Sequence, residues 1–514
     1  MVDFDCETKA VSPPDASLNS PTKMNGNSSN SNGNGNGNGN KQQQQLPLLL
    51  PATPPFRCPA GLAAASAHAV AAYEQYLRLP ELRRLWGARE FPGWKAEPLL
   101  RPALQALEIT FRFVSTALSD PRPYANRREW RRRLESLAAG QVQLVAAIVE
   151  DEEGEEEGGR AGAGAAPLVE LSSAGGALAR GGSSAEVWRI PGGDAAAAVS
   201  RASEGSLLPR LATWHTSEDV AQRILYTIEC EMRRCPYTLG LGEPNLTAKP
   251  ALRYDDVCKP SELHSLKRNA SGDHQVESNH ENQSLHATHQ ILESWIRASS
   301  ELLKRISERI EANRFEKAAS DCYLLERFWK LLAEIEDLHL LMDPEDFLRL
   351  KKDLAIRAEA ASFCFRSKGL VEITGKCKDL KHTVPRVLGV EADPNGGPRL
   401  QEAAMRLYRE KREAERIHLL QALQAVEAAA KRFFFAYKQV VAAVMGSLEA
   451  RGDRVAGAAA ASSDSLSRVF LENTYFPSLD AAKTFLGRML SGGGGDDGKG
   501  GRSSDRHGSG TTRS

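Results

Sequence analysis

Six apolar residues, Leu324, Phe328, Leu331, Ile335, Leu338 and Met342, recur at intervals of 4-3-4-3-4, and this seam constrains the chain more than any other feature. An α-helix turns once in ~3.6 residues, so the spacing lays all six side chains along one stripe. A strand would scatter them over both of its faces. Such a stripe is buried by packing against other helices, in the manner of a coiled-coil seam.

The same period runs through most of the chain. "GLAAASAHAVAAYEQYLRL" is helical until Pro80. "EPLLRPALQALEITFRFVSTALSD" opens with Pro98 in a first turn and stops at Asp120-Pro121. "NRREWRRRLESLAAGQVQLVAAIV" places Trp130, Leu134, Leu137, Leu144 and Ile148 on one face, and Ser217 caps the amphipathic "SEDVAQRILYTIECEMRRC". A helix is expected from about Ser284 to Glu311, with Leu292, Trp295, Leu302, Ile306 and Ile310 inward. Asp343 and Pro344 restart a helix after the seam. From Pro398 to about Glu449 the period predicts one rod of about 75 Å. Its run Phe433, Phe434, Phe435 and Tyr437 wraps around the helix and predicts burial on several sides. Alternation of the strand type occurs nowhere at useful length. The expected fold is an all-α multi-helix bundle.

Three stretches break the pattern. Residues 1–58 carry "NGNSSNSNGNGNGNGNKQQQQ", residues 150–205 follow "EDEEGEEE" with Gly, Ala and Ser, and residues 491–514 are Gly-rich. All three hold too little apolar surface to offset the entropy of ordering and are expected to be disordered. They divide the helical part into an N-terminal region, 59–149, and a C-terminal domain, 206–490. Lys+Arg and Asp+Glu number 66 each, so the net charge is zero, which argues against a nucleic-acid partner. Eight scattered cysteines without a CxxC pair fit reduced thiols. No apolar leader opens the sequence and no run of apolar residues is long enough for a membrane span, so a cytoplasmic location is expected, with the nucleus as the alternative.

Several polar clusters invite functional readings. "RREWRRR" (Arg127 to Arg133) reads as a solvated face, not a phosphate site, and "GLGEPN" lacks the Lys-Ser/Thr of a phosphate loop. His286, His289 and Glu293 lie at three- and four-residue spacing and could share a face towards a metal. A third ligand from elsewhere would be needed.

"YEQYLRLPELRRLW", "RPYANRREW", "EMRRCPYTLGLGEPN", "LLAEIEDLHLLMDPEDF", "AAAKRFFFAY" and "YFPSLDAAKTFLG" resemble the plant nematode-resistance HSPRO family over almost the whole folded chain. That resemblance implies a role in basal defence. It also implies a protein partner, the regulatory βγ subunit of the plant energy-sensing kinase related to AMP-activated kinase.

A second resemblance covers about residues 280–372. His280, His289-Gln290, Glu293 and Trp295 repeat the spacing of the tryptophan 2,3-dioxygenase signature. "WKLLAEIEDLHLLMDPEDFLRLKKDL" and "SFCFRSKGLVE" are similar to later segments of that family. The resemblance implies a tryptophan-dioxygenase-like helical fold and a pocket lined by His289, Glu293, Trp295, Phe365 and Arg366. In the dioxygenases the counterpart of His289 lies on the distal side of haem, and that of Arg366 grips the substrate carboxylate. Arg366 is therefore expected to be buried against Glu293, Glu372 or a bound acid. The proximal histidine that holds the haem iron has no counterpart: the last long helix offers only His418, with Gln439 where a ligand would be wanted, and "RVAGAAAASSDS" replaces the following loop. The expectation is a non-enzymatic regulator without cofactor or catalytic residues, making contact through its amphipathic N-terminal helices or its long C-terminal helix. The alternatives are a haem-dependent dioxygenase and a haem-free indole sensor.

Overall fold

The structure is a computed structural model that describes residues 70–88, 97–119, 126–153, 177–178, 188–189, 218–235, 239, 254–266, 280–345, 367–391, 399–446 and 474–492. These residues are overwhelmingly helical, and the fold is all-α. In chain order the helices are α1 (70–76), α2 (Leu79–Gly87), α3 (Glu97–Ser119), α4 (Arg127–Glu153), α5 (Glu218–Arg234), α6 (Tyr254–Cys258) and α7 (Pro260–Ser265). After them come α8 (His280–Glu311), α9 (Phe315–Glu336), α10 (Lys368–Asp379), α11 (Val384–Leu388), α12 (Arg399–Glu410), α13 (Ala414–Met445) and α14 (Pro477–Gly492). Short 3-10 turns follow α9 (Asp337–Leu341) and α10 (Leu380–Thr383). Within the low-complexity stretch 150–205, Ala177–Leu178 pairs antiparallel with Trp188–Arg189. No helix among the described residues is long and apolar enough to cross a membrane.

Helices from both sides of that stretch share one core. α8 lies between α3 and α9, α3 packs on α4 and α4 on α5, while α9 carries α13 on its far side. The seam occupies the middle: Leu324, Phe328, Leu331, Ile335, Leu338 and Met342 are all buried. The inward residues read on α4 and α8 are buried as well.

Chain breaks sit where the local chemistry requires them. Pro80 lacks the N–H that would extend α1, so Arg78 turns through a left-handed conformation (φ 50°) and α2 restarts with the proline in its first turn. Arg78 anchors this corner by donating to the Ser265 carbonyl at 2.6 Å. Between α8 and α9, Asn313 takes a left-handed φ of 57°, and Arg314 N–H closes on the Arg309 carbonyl at 2.9 Å, a Schellman-type stop.

Four expectations are corrected. The rod from 398 to 449 is two helices, broken at Lys411, which has φ 52°. Glu410, Lys411, Arg412 and Glu413 are all exposed, so no buried side chain holds the helix through this run. α8 begins at His280, before the expected Ser284. The seam leaves α-helix after Glu336 and ends in a 3-10 turn, just ahead of Pro344. Phe433, Phe434 and Tyr437 are buried, but Phe435 is 52% exposed, so that helix keeps a solvent face. Asp343 does cap as expected, accepting from Glu345 N–H at 2.8 Å. Ser217 and "GLGEPN" lie outside the described residues.

α3 is more deeply buried than an amphipathic helix should be, with every residue from Leu99 to Val114 inside. Its polar residues are matched internally. Glu108 accepts from Arg112 Nε at 2.9 Å and from the Tyr254 hydroxyl, and Arg112 also donates to the Pro260 carbonyl at 2.9 Å. A buried ion pair of this kind holds only while its remaining hydrogen-bond capacity is met. Here it fastens α6 and α7 to the core. The arginine run at the start of α4 is only in part the solvated face expected: Arg127, Arg128 and Arg132 are exposed, whereas Arg131 and Arg133 are half-buried, and Arg133 pairs with Glu129 and donates to the Asp337 carbonyl at 2.8 Å. The described cysteines are free thiols.

Candidate functional site

The dioxygenase-like signature forms the first half of α8, and its side chains are turned into the protein. His289, Gln290, Glu293 and Trp295 are at most 5% exposed. Burial of so many polar groups is tolerable only if each is met by a partner.

Trp295 is fully buried; its indole N–H donates to Gln141 Oε1 at 2.8 Å, and its ring meets Phe328 edge-on at 4.9 Å. Gln141 in turn donates to Thr110 Oγ1 at 2.7 Å, so one buried chain of hydrogen bonds ties α8 to α4 and α3. Gln290 donates to the Leu77 carbonyl at 2.9 Å, which ties α8 to the end of α1. His289 stands between two rings, Tyr73 at 5.7 Å and His339 at 5.0 Å. His339 is itself held by Glu336, whose carboxylate lies 3.0 Å from its Nδ1.

Glu293 is the junction. It accepts from the Tyr73 hydroxyl at 3.0 Å and is hydrogen-bonded by Ser367, the residue that caps α10 through Leu370 N–H at 3.0 Å. Close approach of α10 is permitted by Gly369, where a Cβ would lie 2.7 Å from Ile296 Cγ2 and 3.4 Å from Glu293 Oε2. Burial pushes the Glu293 carboxyl up to about 7, while the bonds from Ser367 and Tyr73 and the charge of Arg83 pull the other way, and Glu74 adds a small further rise.

The sign of the resulting pH dependence is fixed. An acid whose folded value lies above its unfolded value of 4.5 binds more protons when folded, so stability falls as pH rises through that window. The Glu293→Gln variant keeps the shape without the charge. It should gain on the natural protein by a few kcal/mol between about pH 4.5 and pH 7, and no further above. Melting curves across pH 5–8 measure this, and parallel curves for the two proteins would count against a strained buried carboxyl.

Other candidates resolve individually. His286 meets the Tyr76 ring at 5.4 Å, so the His286, His289, Glu293 face is divided among aromatic and hydrogen-bonding neighbours. Among the described residues no three His, Cys, Asp or Glu side chains gather as metal ligands. His418 and Gln439 are exposed on α13. Phe365, Arg366 and the His280 side chain lie outside the described residues. Sequence reading missed Tyr73, Gln141 and His339, which lie far from α8 along the chain, so no spacing could link them. Sequence reading also missed Ser367, which caps α10 and bonds Glu293.

Residues 1–229 match the family described as Hs1pro-1 N-terminus, and residues 232–492 match Hs1pro-1 protein C-terminus. The two matches meet inside α5, a single continuous helix. The chain is 58% identical over 422 residues to "Nematode resistance protein-like HSPRO2" of Arabidopsis thaliana, covering 82% of this chain and 88% of the relative. It is 56% identical over 432 residues to "Nematode resistance protein-like HSPRO1" of the same plant, covering 84% and 92%. No solved structure matches the chain. With both family regions matched end to end and two relatives above half identity, the chain belongs to the Hs1pro-1, or HSPRO, nematode-resistance family.

Proposed function

We propose that this protein is a non-enzymatic regulator of plant basal defence that acts through protein contact, with the regulatory βγ subunit of the plant AMP-activated-kinase-related kinase as its partner. The defence role is supported by the names of its relatives, both called nematode resistance proteins. The partner is the one the family resemblance implies.

The observation that carries the non-enzymatic reading is how the signature residues are spent. His289 is packed edge-on by Tyr73 and against a tilted His339 ring, and the indole N–H of Trp295 is taken up by Gln141. The only histidine on the late helix, His418, faces solvent in place of a haem iron. These residues do not fit haem, and the stretch works as a strut joining α1, α4, α8 and α10. The dioxygenase-like helical plan is then an inheritance of packing.

Purified full-length protein titrated against purified kinase βγ subunit tests the partnership. Saturable one-to-one binding is expected. The Phe435→Glu variant, which charges an exposed aromatic on α13, should weaken it if the long C-terminal helix makes the contact. Absence of binding at micromolar concentrations of both proteins would end the proposal.

A further inference from the structure

Farther along α8, beyond Glu293, Arg297, Ser300, Glu301, Lys304 and Ser307 recur at three- and four-residue spacing and therefore share one face. α10 and its 3-10 extension bring Lys376, Asp379 and Thr383 opposite them. The two walls do not close. They enclose a cleft of about 390 Å³, floored by the buried Leu303 and Leu380. That volume is in the range of small-molecule sites.

The charges in the cleft are unevenly matched. Arg297 and Glu301 satisfy each other at 2.6 Å. Lys376 is held by the Ser300 hydroxyl at 2.6 Å, which orients the ammonium without neutralising it. Lys304 lies 3.8 Å from Glu308, at the outer limit of an ion pair, and is 70% exposed. Asp379 pairs with none of the described cations. The cleft thus offers two ammoniums, one held by a neutral hydroxyl and one only loosely paired, together with the Asp379 carboxylate and several hydroxyls. Among the described residues no aromatic ring lines it to stack a base or an indole.

We propose that this cleft binds a small phosphate monoester that also carries hydroxyl groups. A phosphate bears close to two negative charges near neutral pH, which Lys304 and Lys376 match as point charges. Asp379 repels that end and accepts from the ligand's hydroxyls, so the ligand has one orientation. This site is independent of the βγ contact and of the His289 stretch.

Isothermal titration calorimetry on the full-length protein, with inorganic phosphate, glycerol 3-phosphate, ribose 5-phosphate and ribose, tests it. Ribose 5-phosphate should bind saturably with a Kd below about 1 mM, and inorganic phosphate about tenfold more weakly. Ribose should not bind. K304Q and K376Q change exposed residues, so circular dichroism should be unaltered, and each should weaken the ester by about tenfold. D379N should weaken the ester and not inorganic phosphate. No saturable binding of either ester would overturn the proposal. So would ester binding indifferent to both lysine variants, or inorganic phosphate binding as tightly as the esters.

Discussion

Replacing Asp321 with alanine should destabilise the protein by roughly 3–5 kcal/mol, a large part of the ~5–15 kcal/mol that holds a typical domain together. Asp321 is fully buried in the first turns of α9. It accepts from Arg305 at 2.5 and 3.2 Å, and Arg309 lies 2.8 Å away. Both arginines stand one turn apart on α8, so a single carboxylate clamps the α8–α9 hairpin. Without it, two guanidinium groups of like charge face each other in a region with little water. Asp321→Asn keeps the shape and should still cost most of the effect, because the charge is what the arginines require. Urea unfolding of the three proteins gives the numbers. A change within about 0.5 kcal/mol, the range of an ordinary surface substitution, would mean that the arginines find other partners.

The second large effect is expected at Trp295. Truncation to alanine removes a fully buried indole and should cost roughly 3–5 kcal/mol. Trp295→Phe separates packing from hydrogen bonding. It keeps most of the ring but strands the Gln141 carbonyl, at a cost of about 1–3 kcal/mol. A residue that lined an open ligand pocket would tolerate both changes far better, since water would replace the lost ring. Denaturant midpoints for both variants decide between strut and pocket.

Much of this fold was legible because helical periodicity reports burial directly. The seam on α9 and the inward faces of α4 and α8 fell where the spacing placed them. Failures arose where burial did not follow from local pattern. The charged run at Glu410–Glu413 reads as a helix by propensity, but nothing anchors it, and the chain turns at Lys411. α3 buries Arg101, Gln105, Glu108 and Arg112, which periodicity left unread, because their partners on α2, α6 and α7 are not visible from the chain alone. The candidate site divides in the same way. Its own residues, His289, Glu293 and Trp295, were singled out by their resemblance to the dioxygenase signature. The neighbours that decide what those residues can do come from α1, α4 and the turn after α9.

A His289–Trp295 stretch that serves as a strut, as proposed, leaves the protein without need of haem. The absorbance spectrum of full-length protein incubated with excess haemin, desalted, and assayed for tryptophan oxidation tests this. The expected result is no stoichiometric Soret band and no product. One haem per chain with a sharp Soret band, lost on His289→Ala or His418→Ala and accompanied by tryptophan turnover, would contradict it.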